Sequence, residues 1–397
     1  MKTVNSKMTH AAIHATTIFL GLSYFMCIPL LNPYLYNELM FTAVLVGYFA
    51  SSQSVSSNIA MIFGGPLGNV IGCKATMILG ALISAGAYII FGVAESFPLF
   101  FLGGIFIGVG SALYLPASNA YYDAISTDEN RAKMFSVYSM LDTSSNVVGP
   151  TVGSLLVALT SFQTMALVSA GMYLVTVLIA IFFLPNIRTE EAREAGLLGN
   201  IKECAQNKAF LKFLLVTSVV TVIILQRDLT IPVKLAGINP GYSVGFMYAL
   251  ASLIGVVLQI PMVKYFKRRF DNNRIYAFAS GLYTLGIAVL GFASNIPMLY
   301  VGTVICSIGQ TLYYPVKSAQ VAEFAGPGKF AGYYGFQGLV GVGVSFLANL
   351  LGGYLYDSAA LQTGWLSYLP WYVFIAVGAG IVAMFLALSK KQTEADV

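Results

Sequence analysis

The seven residues GSALYLP, Gly110 to Pro116, recur later in the chain as GQTLYYP, Gly309 to Pro315. The same offset carries GVAESFP, Gly92 to Pro98, onto GFASNIP, Gly291 to Pro297. Further along it matches Gly103 with Gly302 and Gly153 with Gly352. Apolar bias alone does not place glycine and proline at one constant offset. The chain is therefore predicted to consist of two similar halves inserted in the same orientation.

The composition places both halves in a membrane. Of 397 residues, 57% are hydrophobic and 9% are charged, and the mean hydropathy is +0.78. A soluble domain is roughly 25% charged. The net charge of +5 does not predict a nucleic-acid partner, because basic residues in a membrane protein set its topology. We expect a multi-pass protein of the cell membrane.

The sequence offers little support for an enzyme. The four cysteines, Cys27, Cys73, Cys204 and Cys306, match no metal-ligand or redox spacing. No Walker-type phosphate loop and no Ser-His-Asp set is apparent. We therefore expect no catalytic residues, no metal site and no cofactor, and ATP-driven transport is disfavoured.

A membrane-spanning helix needs about 20 apolar residues, and twelve such segments lie between short polar breaks. The expected spans are residues 11–35, 42–64, 75–94, 98–122, 134–159, 164–185, 210–235, 243–264, 276–294, 297–322, 331–356 and 368–388. The longest polar connection separates the sixth span from the seventh. The predicted fold is all-α, with a six-helix bundle in residues 1–185, a cytoplasmic linker in 186–209 and a pseudo-symmetric six-helix bundle in 210–397.

The basic residues of the connections fall on one side of this arrangement, and the opposite loops contain almost none. They are Lys2, Lys7, Lys74, Arg131, Lys133, Arg188, Arg193, Lys202, Lys208, Lys212, Lys264, Lys267, Arg268, Arg269, Arg274, Lys329, Lys390 and Lys391. Because cytoplasmic loops carry the excess of lysine and arginine, both termini are predicted to be cytoplasmic.

The fifth span contains SMLDTSSNVVGPTVGSLL, residues 139–156, which is polar for a membrane helix. Asp142, Asn146, Gly149 and Gly153 are spaced by four, three and four, so they share one helical face. Small residues on such a face let a neighbouring helix approach closely, but packing does not explain a carboxylate. Acids inside a membrane mark proton relays. Asp142 is interpreted as a site that binds and releases a coupling proton, and a structural hydrogen-bonding role is the alternative.

The segment Ser145-Asn-Val-Val-Gly149-Pro150-Thr-Val-Gly153-Ser154 resembles the fifth-helix motif of drug:proton antiporters in the major facilitator superfamily. Asn146, Gly149, Pro150 and Gly153 would form its helix-packing face. The resemblance covers nearly the whole chain. It implies export of small, fairly apolar molecules in exchange for protons, by alternating access around a central cavity. The expected partners are a small-molecule substrate, protons and the lipid bilayer, with no nucleic acid, and the protein is expected to be a monomer powered by the proton gradient.

Two family motifs are altered. The segment Gly65-Pro-Leu-Gly-Asn69-Val-Ile-Gly72-Cys-Lys74 is similar to the family's conserved cytoplasmic loop, which has an aspartate where this chain has Asn69. The family's proton-linked arginine in the fourth span corresponds to Gly104. In the family, that aspartate is associated with a charge-dipole and salt-bridge lock between the two halves. Neither this lock nor the coupling arginine is therefore expected here.

Two stripes of polar and aromatic residues are candidates for substrate contact. The tenth span contributes Gln310, Tyr313, Tyr314, Lys317 and Gln320 at helical spacing. The fourth span contributes Tyr114, Ser118, Tyr121 and Tyr122. The resemblance implies that helices one, four, seven and ten line the cavity, where tyrosine offers an apolar face and a hydroxyl. The alternative is an interfacial belt of tyrosines in which Lys317 reaches to the cytoplasm.

The seventh span carries Arg227 beside Asp228. Adjacent helical residues point about 100° apart, so one is expected to face the cavity and the other a neighbouring helix. Asp228 is a second candidate for proton coupling, and Arg227 is a candidate for substrate contact. Arg227 with Lys317 would suit an anionic or metal-chelating substrate, such as a siderophore, better than a lipophilic cation. A non-transporting receptor or enzyme on the same scaffold is the remaining alternative.

Overall fold

The computed structural model describes residues 6–127, 131–187, 203–239, 242, 245–325 and 330–395. Within these ranges the ordered elements are helical. Twelve helices of 20 to 31 residues are numbered α1 to α12 in chain order. They are α1 Ser6–Pro33, α2 Ala43–Ile71, α3 Cys73–Val93, α4 Phe97–Ala124, α5 Arg131–Leu159, α6 Phe162–Phe183, α7 Lys208–Ile238, α8 Gly245–Lys267, α9 Asn272–Gly291, α10 Ile296–Ala325, α11 Phe330–Ala360 and α12 Leu369–Ala395.

Short helical segments complete the described chain. A π-helical turn, Tyr34–Glu38, continues α1, and a 3-10 helix, Gly364–Tyr368, precedes α12. One further helical turn covers residues 203–206. Most of the predicted linker, including Arg188, Arg193 and Lys202, lies outside the described residues.

In the described part of the chain, nine helices are long and apolar enough to cross a membrane. A tenth candidate is α8, whose halves Gly245–Gly255 and Val257–Lys267 meet at a bend of 43°. The remaining two, α2 and α5, contain the polar runs 51–58 and 142–146, which lower their hydropathy. A membrane protein with many apolar helices is thus established, and the number of twelve spans stays a prediction.

The chain divides into two compact units. The first comprises the described residues of 1–31, 49–206 and 331–342, and the second those of 32–48, 207–330 and 343–397. In the first unit α3 packs against α4 and α6, and in the second α9 packs against α10 and α12. The ends of the two six-helix bundles at residues 185 and 210 stay a prediction.

The sequence repeat corresponds to a repeated contact. In the first unit, a Cβ atom at Gly110 would lie 2.6 Å from the carbonyl oxygen of Gly80. In the second unit, a Cβ atom at Gly309 would lie 2.8 Å from the carbonyl oxygen of Ala279. These partners are related by the same offset as the glycines themselves. The α3–α4 and α9–α10 contacts are therefore built alike, with glycine where two helix backbones approach closely.

The segment expected to form a loop after the second span is mostly helical. Helix α2 continues through Ile71, so Gly65 and Asn69 lie within it and only Gly72 separates α2 from α3. The side chains of residues 62–66 and 69 are outside the described set. Gly72 has φ = +97°, a left-handed conformation that favours glycine. The Lys74 ammonium donates to the carbonyl oxygen of Ile181 at 2.7 Å, which ties the start of α3 to α6.

Candidate functional site

The small residues of α5 pack directly on α1. A Cβ atom at Gly149 would lie 2.7 Å from the Cβ of Phe25, and one at Gly153 would overlap the backbone carbonyl of Met26. Pro150 is buried within the same stretch of α5, and its own carbonyl accepts a hydrogen bond from the Ser154 hydroxyl at 2.8 Å. Glycine at these positions permits backbone approach between the two helices.

Asp142 lies on α5 three turns before Gly153 and is half-buried. Its carboxylate makes no hydrogen bond or ion pair with any described residue. The Tyr138 phenol, one turn earlier on the same helix, interacts electrostatically with this carboxylate. Asn146, one turn later, is also half-buried. An unpaired and partly accessible carboxylate is chemically able to exchange a proton.

A hydrogen-bond cluster connects α1 and α4 beside this carboxylate. The Tyr122 hydroxyl lies 2.8 Å from the Thr17 hydroxyl and 3.0 Å from His14 Nδ1. The Tyr122 ring lies 5.1 Å from the Tyr138 ring, measured between centroids. Polar groups of α1 and α4 are thus joined through aromatic contact to the helix that carries Asp142. The sequence does not predict this cluster, because the spacing of its residues along the chain gives no signal of a shared site.

The predicted substrate stripe of α4 is buried within the first unit. Tyr114, Ser118 and Tyr121 all have side chains that are almost fully covered. The α4 backbone at Tyr114 packs on Gly80 of α3. The Tyr121 hydroxyl has no hydrogen-bond partner among the described residues. A role for these three residues in substrate contact remains a prediction.

A polar cluster in the second unit joins α7 to α8, α9 and α10. Arg227 Nε donates to Asp228 Oδ1 at 2.9 Å, and Arg227 Nη1 donates to Gln310 Oε1 at 3.0 Å. The Tyr248 hydroxyl donates to Asp228 Oδ1 at 3.2 Å. The Tyr283 hydroxyl donates to Gln310 Oε1 at 3.3 Å. These five side chains form the Arg227 cluster.

The Arg227 cluster differs from the expectation that Arg227 and Asp228 face separate partners. The two side chains bend toward each other and form an ion pair. The Arg227 side chain is 13% exposed and the Asp228 side chain 41% exposed, so the cation is enclosed while the anion is accessible on one side. An arginine whose charge is already balanced has less attraction for a further anion.

Further α10 residues of the stripe are Tyr313, Tyr314 and Lys317. The Lys317 ammonium lies 5.6 Å from the centroid of the Tyr313 ring, and the side chain is buried. The Tyr313 hydroxyl donates to the carbonyl oxygen of Thr217 on α7 at 2.7 Å. Tyr314, next along the helix, is half exposed. The stripe therefore contains a buried cation beside the Tyr313 ring.

Gly104, at the position of the family's proton-linked arginine, is part of a close helix contact. A Cβ atom there would lie 3.1 Å from the Phe49 ring and would overlap the Ser52 hydroxyl of α2. One turn later, a Cβ atom at Gly108 would lie 2.5 Å from the carbonyl oxygen of Gln53. The polar run of α2 thus packs on the glycines of α4. A larger side chain at Gly104 would not fit this arrangement.

The sequence that forms these repeated helical units with embedded charges matches a known protein family. The sequence model described as the Major Facilitator Superfamily matches residues 13–282 and 243–396. The chain belongs to the major facilitator superfamily. As a facilitator it is a multi-pass membrane transporter rather than an enzyme.

Relatives and solved structures agree with the facilitator fold. The multidrug resistance protein MdtH of Aeromonas hydrophila is 25% identical over 371 residues, covering 92% of this chain and 91% of the relative. MdtH of Aeromonas salmonicida is 26% identical over 372 residues, with 92% and 91% covered. The crystal structure of the nucleoside transporter NupG matches with a TM-score of 0.78 at 14% identity, covering 96% of this chain and 98% of NupG. At that identity the structural likeness concerns the fold alone.

Proposed function

We propose that this facilitator exports small, fairly apolar molecules in exchange for protons, by alternating access. The observation that carries the proposal is Asp142, an accessible carboxylate with no ion-pair or hydrogen-bond partner among the described residues. An ionised acid within a membrane helix is costly, and a role in proton binding accounts for its presence. The names of the relatives, multidrug resistance proteins, support drug-like substrates.

The proposed coupling depends on unequal affinity for the two states of the transporter. Proton binding at Asp142 would favour one state, and substrate binding would favour the other. Because Asp142 lies on the α5 face that contacts α1 through Gly149 and Gly153, a change in its charge acts where the helices are close. Asp228 is proposed as a second protonation site, since its carboxylate is partly accessible within the Arg227 cluster. Both termini are proposed to lie in the cytoplasm.

Transport by purified protein in liposomes tests the proposal. The lumen is made acidic, and uptake of three fluorescent probes is followed: ethidium as a cation, dansylamide as a neutral molecule and dansylglycine as a carboxylate. We expect at least one probe to accumulate in protein-containing liposomes, and protein-free liposomes correct for passive redistribution under the pH gradient. If no probe moves in response to the gradient, while the protein remains folded and binds a probe, the antiporter proposal is wrong.

The Asp142→Asn variant tests the coupling assignment. It is expected to reduce gradient-driven accumulation at least tenfold, while exchange of labelled for unlabelled probe at equal pH continues. The exchange reaction needs no net proton movement, so it separates lost coupling from a misfolded protein. Glu95→Gln, at an exposed acid between α3 and α4, is the matched control and should transport normally. Accumulation at the wild-type rate by Asp142→Asn would remove Asp142 from the mechanism.

A further inference from the structure

Among the described residues of the second unit, the embedded charges are stabilised to different degrees. Arg227 pairs with Asp228 at 2.9 Å. The Lys234 ammonium lies over the rings of Trp371 at 4.4 Å and Tyr368 at 5.2 Å. The remaining embedded cation in the described part of this unit is buried in α10.

Lys317 is that cation. Its side chain is 9% exposed, and its ammonium makes no hydrogen bond or ion pair with any described residue. Among the described aromatic rings, the ammonium lies over that of Tyr313, 5.6 Å from the centroid. An aromatic face offsets part of the cost of removing an ammonium from water, but less than an anion does. Among the described residues, Lys317 is thus a buried cation without an anionic partner.

The burial of Lys317 argues against the interfacial alternative. A lysine that reaches to the membrane surface leaves its ammonium in water. The Lys317 side chain is instead buried. Surface snorkelling therefore does not supply the missing partner.

The Tyr313 ring that covers the Lys317 ammonium packs against two further tyrosines. Tyr313 contacts Tyr276 at 5.7 Å and Tyr314 at 5.4 Å between ring centroids. Of these rings, Tyr314 is half exposed. A ligand that meets both the ammonium and these rings would combine a negative head with an apolar body. Tyrosine rings suit planar apolar groups.

The cation also breaks the symmetry of the repeat. The offset that matches Gly92 with Gly291 places Ser118 of α4 opposite Lys317. The first repeat therefore has a neutral, buried side chain where the second has an ammonium. Because only the second repeat carries this ammonium, the site suits a ligand that has a single negative group at one of its ends.

We propose that Lys317 binds the carboxylate of an amphiphilic anionic substrate, with Tyr313 and Tyr314 against its apolar part. The inference rests on the proposed transport function and names its substrate class. It excludes Arg227 as the anion receptor, because Asp228 already balances that charge. Lipophilic cations are consequently expected to be poor ligands of this site.

Binding to the purified full-length chain in detergent tests the proposal without transport. The probes are dansylglycine and its methyl ester, which share an apolar body and differ in the carboxylate, together with ethidium. We expect the wild-type protein to bind dansylglycine at least tenfold more tightly than the ester. Equal affinity for acid and ester, or preferential binding of ethidium, overturns the proposal without need of any variant.

Variants then assign the preference to one residue. Lys317→Gln should bring the acid and ester affinities within threefold of each other, and Lys317→Arg should keep most of the discrimination. Lys234→Gln is the matched control, because that cation is covered by aromatic rings in the same unit, and it should preserve the preference. A preference that persists in Lys317→Gln overturns the assignment.

The two proposals fail in different ways. If the acid is preferred through Lys317 but no probe moves with a pH gradient, the anion site stands and proton-coupled transport fails. If ethidium or dansylamide is transported by the gradient and Lys317→Gln changes nothing, transport stands and the anion site fails.

Discussion

At the scale of single residues, this membrane protein stabilises its few charges by different means. Asp228 balances Arg227, aromatic rings cover Lys234, and Lys317 contacts only one ring among the described residues. Burying an unpaired charge is costly, so removal of one member of a buried pair leaves the other destabilising. The Arg227 cluster makes this effect measurable.

The Asp228→Asn variant keeps the shape of the side chain and removes its charge. We expect it to lower the free energy of unfolding by about 1–3 kcal/mol, because Arg227 stays enclosed without its counter-ion. The partial exposure of Asp228 limits the loss through solvent screening. Thermal unfolding in detergent measures the change.

A double variant provides the control for this interpretation. Arg227→Gln with Asp228→Asn leaves two neutral groups that can still hydrogen-bond, and it should be more stable than Asp228→Asn alone. If the double variant loses as much stability as the two single variants added together, the pair does not interact energetically.

Residue patterns identified the ionisable side chains but not their partners. The adjacency of Arg227 and Asp228 in sequence suggested divergent directions, yet long side chains on neighbouring positions bend together and meet. Gln310 reaches the same cluster from α10, 83 positions away in the chain. Such contacts follow from tertiary packing and are not contained in helical periodicity.

At the scale of helices, the start of α2 is capped by α11. The amides of Ala43 and Val44 donate to the two carboxylate oxygens of Asp357 at 2.8 Å and 2.9 Å. The Leu45 amide donates to the Thr42 hydroxyl at 3.3 Å. The first amides of a helix lack partners within it, and a carboxylate is favourable beside their partial positive charge. Asp357 therefore fixes the first turn of α2.

Replacement of Asp357 by alanine should loosen that turn. Hydrogen exchange of the backbone amides at residues 43–44 is expected to accelerate at least tenfold, because two charge-assisted hydrogen bonds are lost. Mass spectrometry of peptides covering 41–47 measures the rate.

Asp271→Ala is the matched control for this change. Asp271 caps α9 through the Arg274 amide at 3.3 Å, within the same unit. Its loss should accelerate exchange at the start of α9 and leave α2 unchanged. Unchanged exchange at residues 43–44 in Asp357→Ala would show that the α11 carboxylate does not stabilise α2.

Helix positions were predictable from apolar run length, whereas helix ends were less so. The second span was expected to end at residue 64, but α2 continues to Ile71. The additional residues include glycine and proline, which usually indicate a loop, and the left-handed Gly72 is where the chain turns. Short-range propensity is weak, so the tertiary environment decided how far the helix extends.

At the scale of the whole molecule, the distribution of lysine and arginine predicts the orientation of the chain in the membrane. We expect a C-terminal green fluorescent protein fusion to fluoresce and a C-terminal alkaline phosphatase fusion to be inactive, since both termini are predicted to be cytoplasmic. The same pair fused after Glu95, between α3 and α4, serves as the reciprocal control and should report the opposite side. An active phosphatase at the C-terminus would reverse the topology.

The sequence by itself determined the membrane class, the long helices and the twofold repetition, because the length of an apolar run and the spacing of glycines are properties of the chain alone. Tertiary structure decided which groups meet: Asp357 with the start of α2, Arg227 with Gln310, and the glycines of α5 with α1. It also decided that Lys317 is enclosed without an anion among the described residues. The physical reason is that pairing and burial depend on ångström-scale approach between helices that are far apart in sequence.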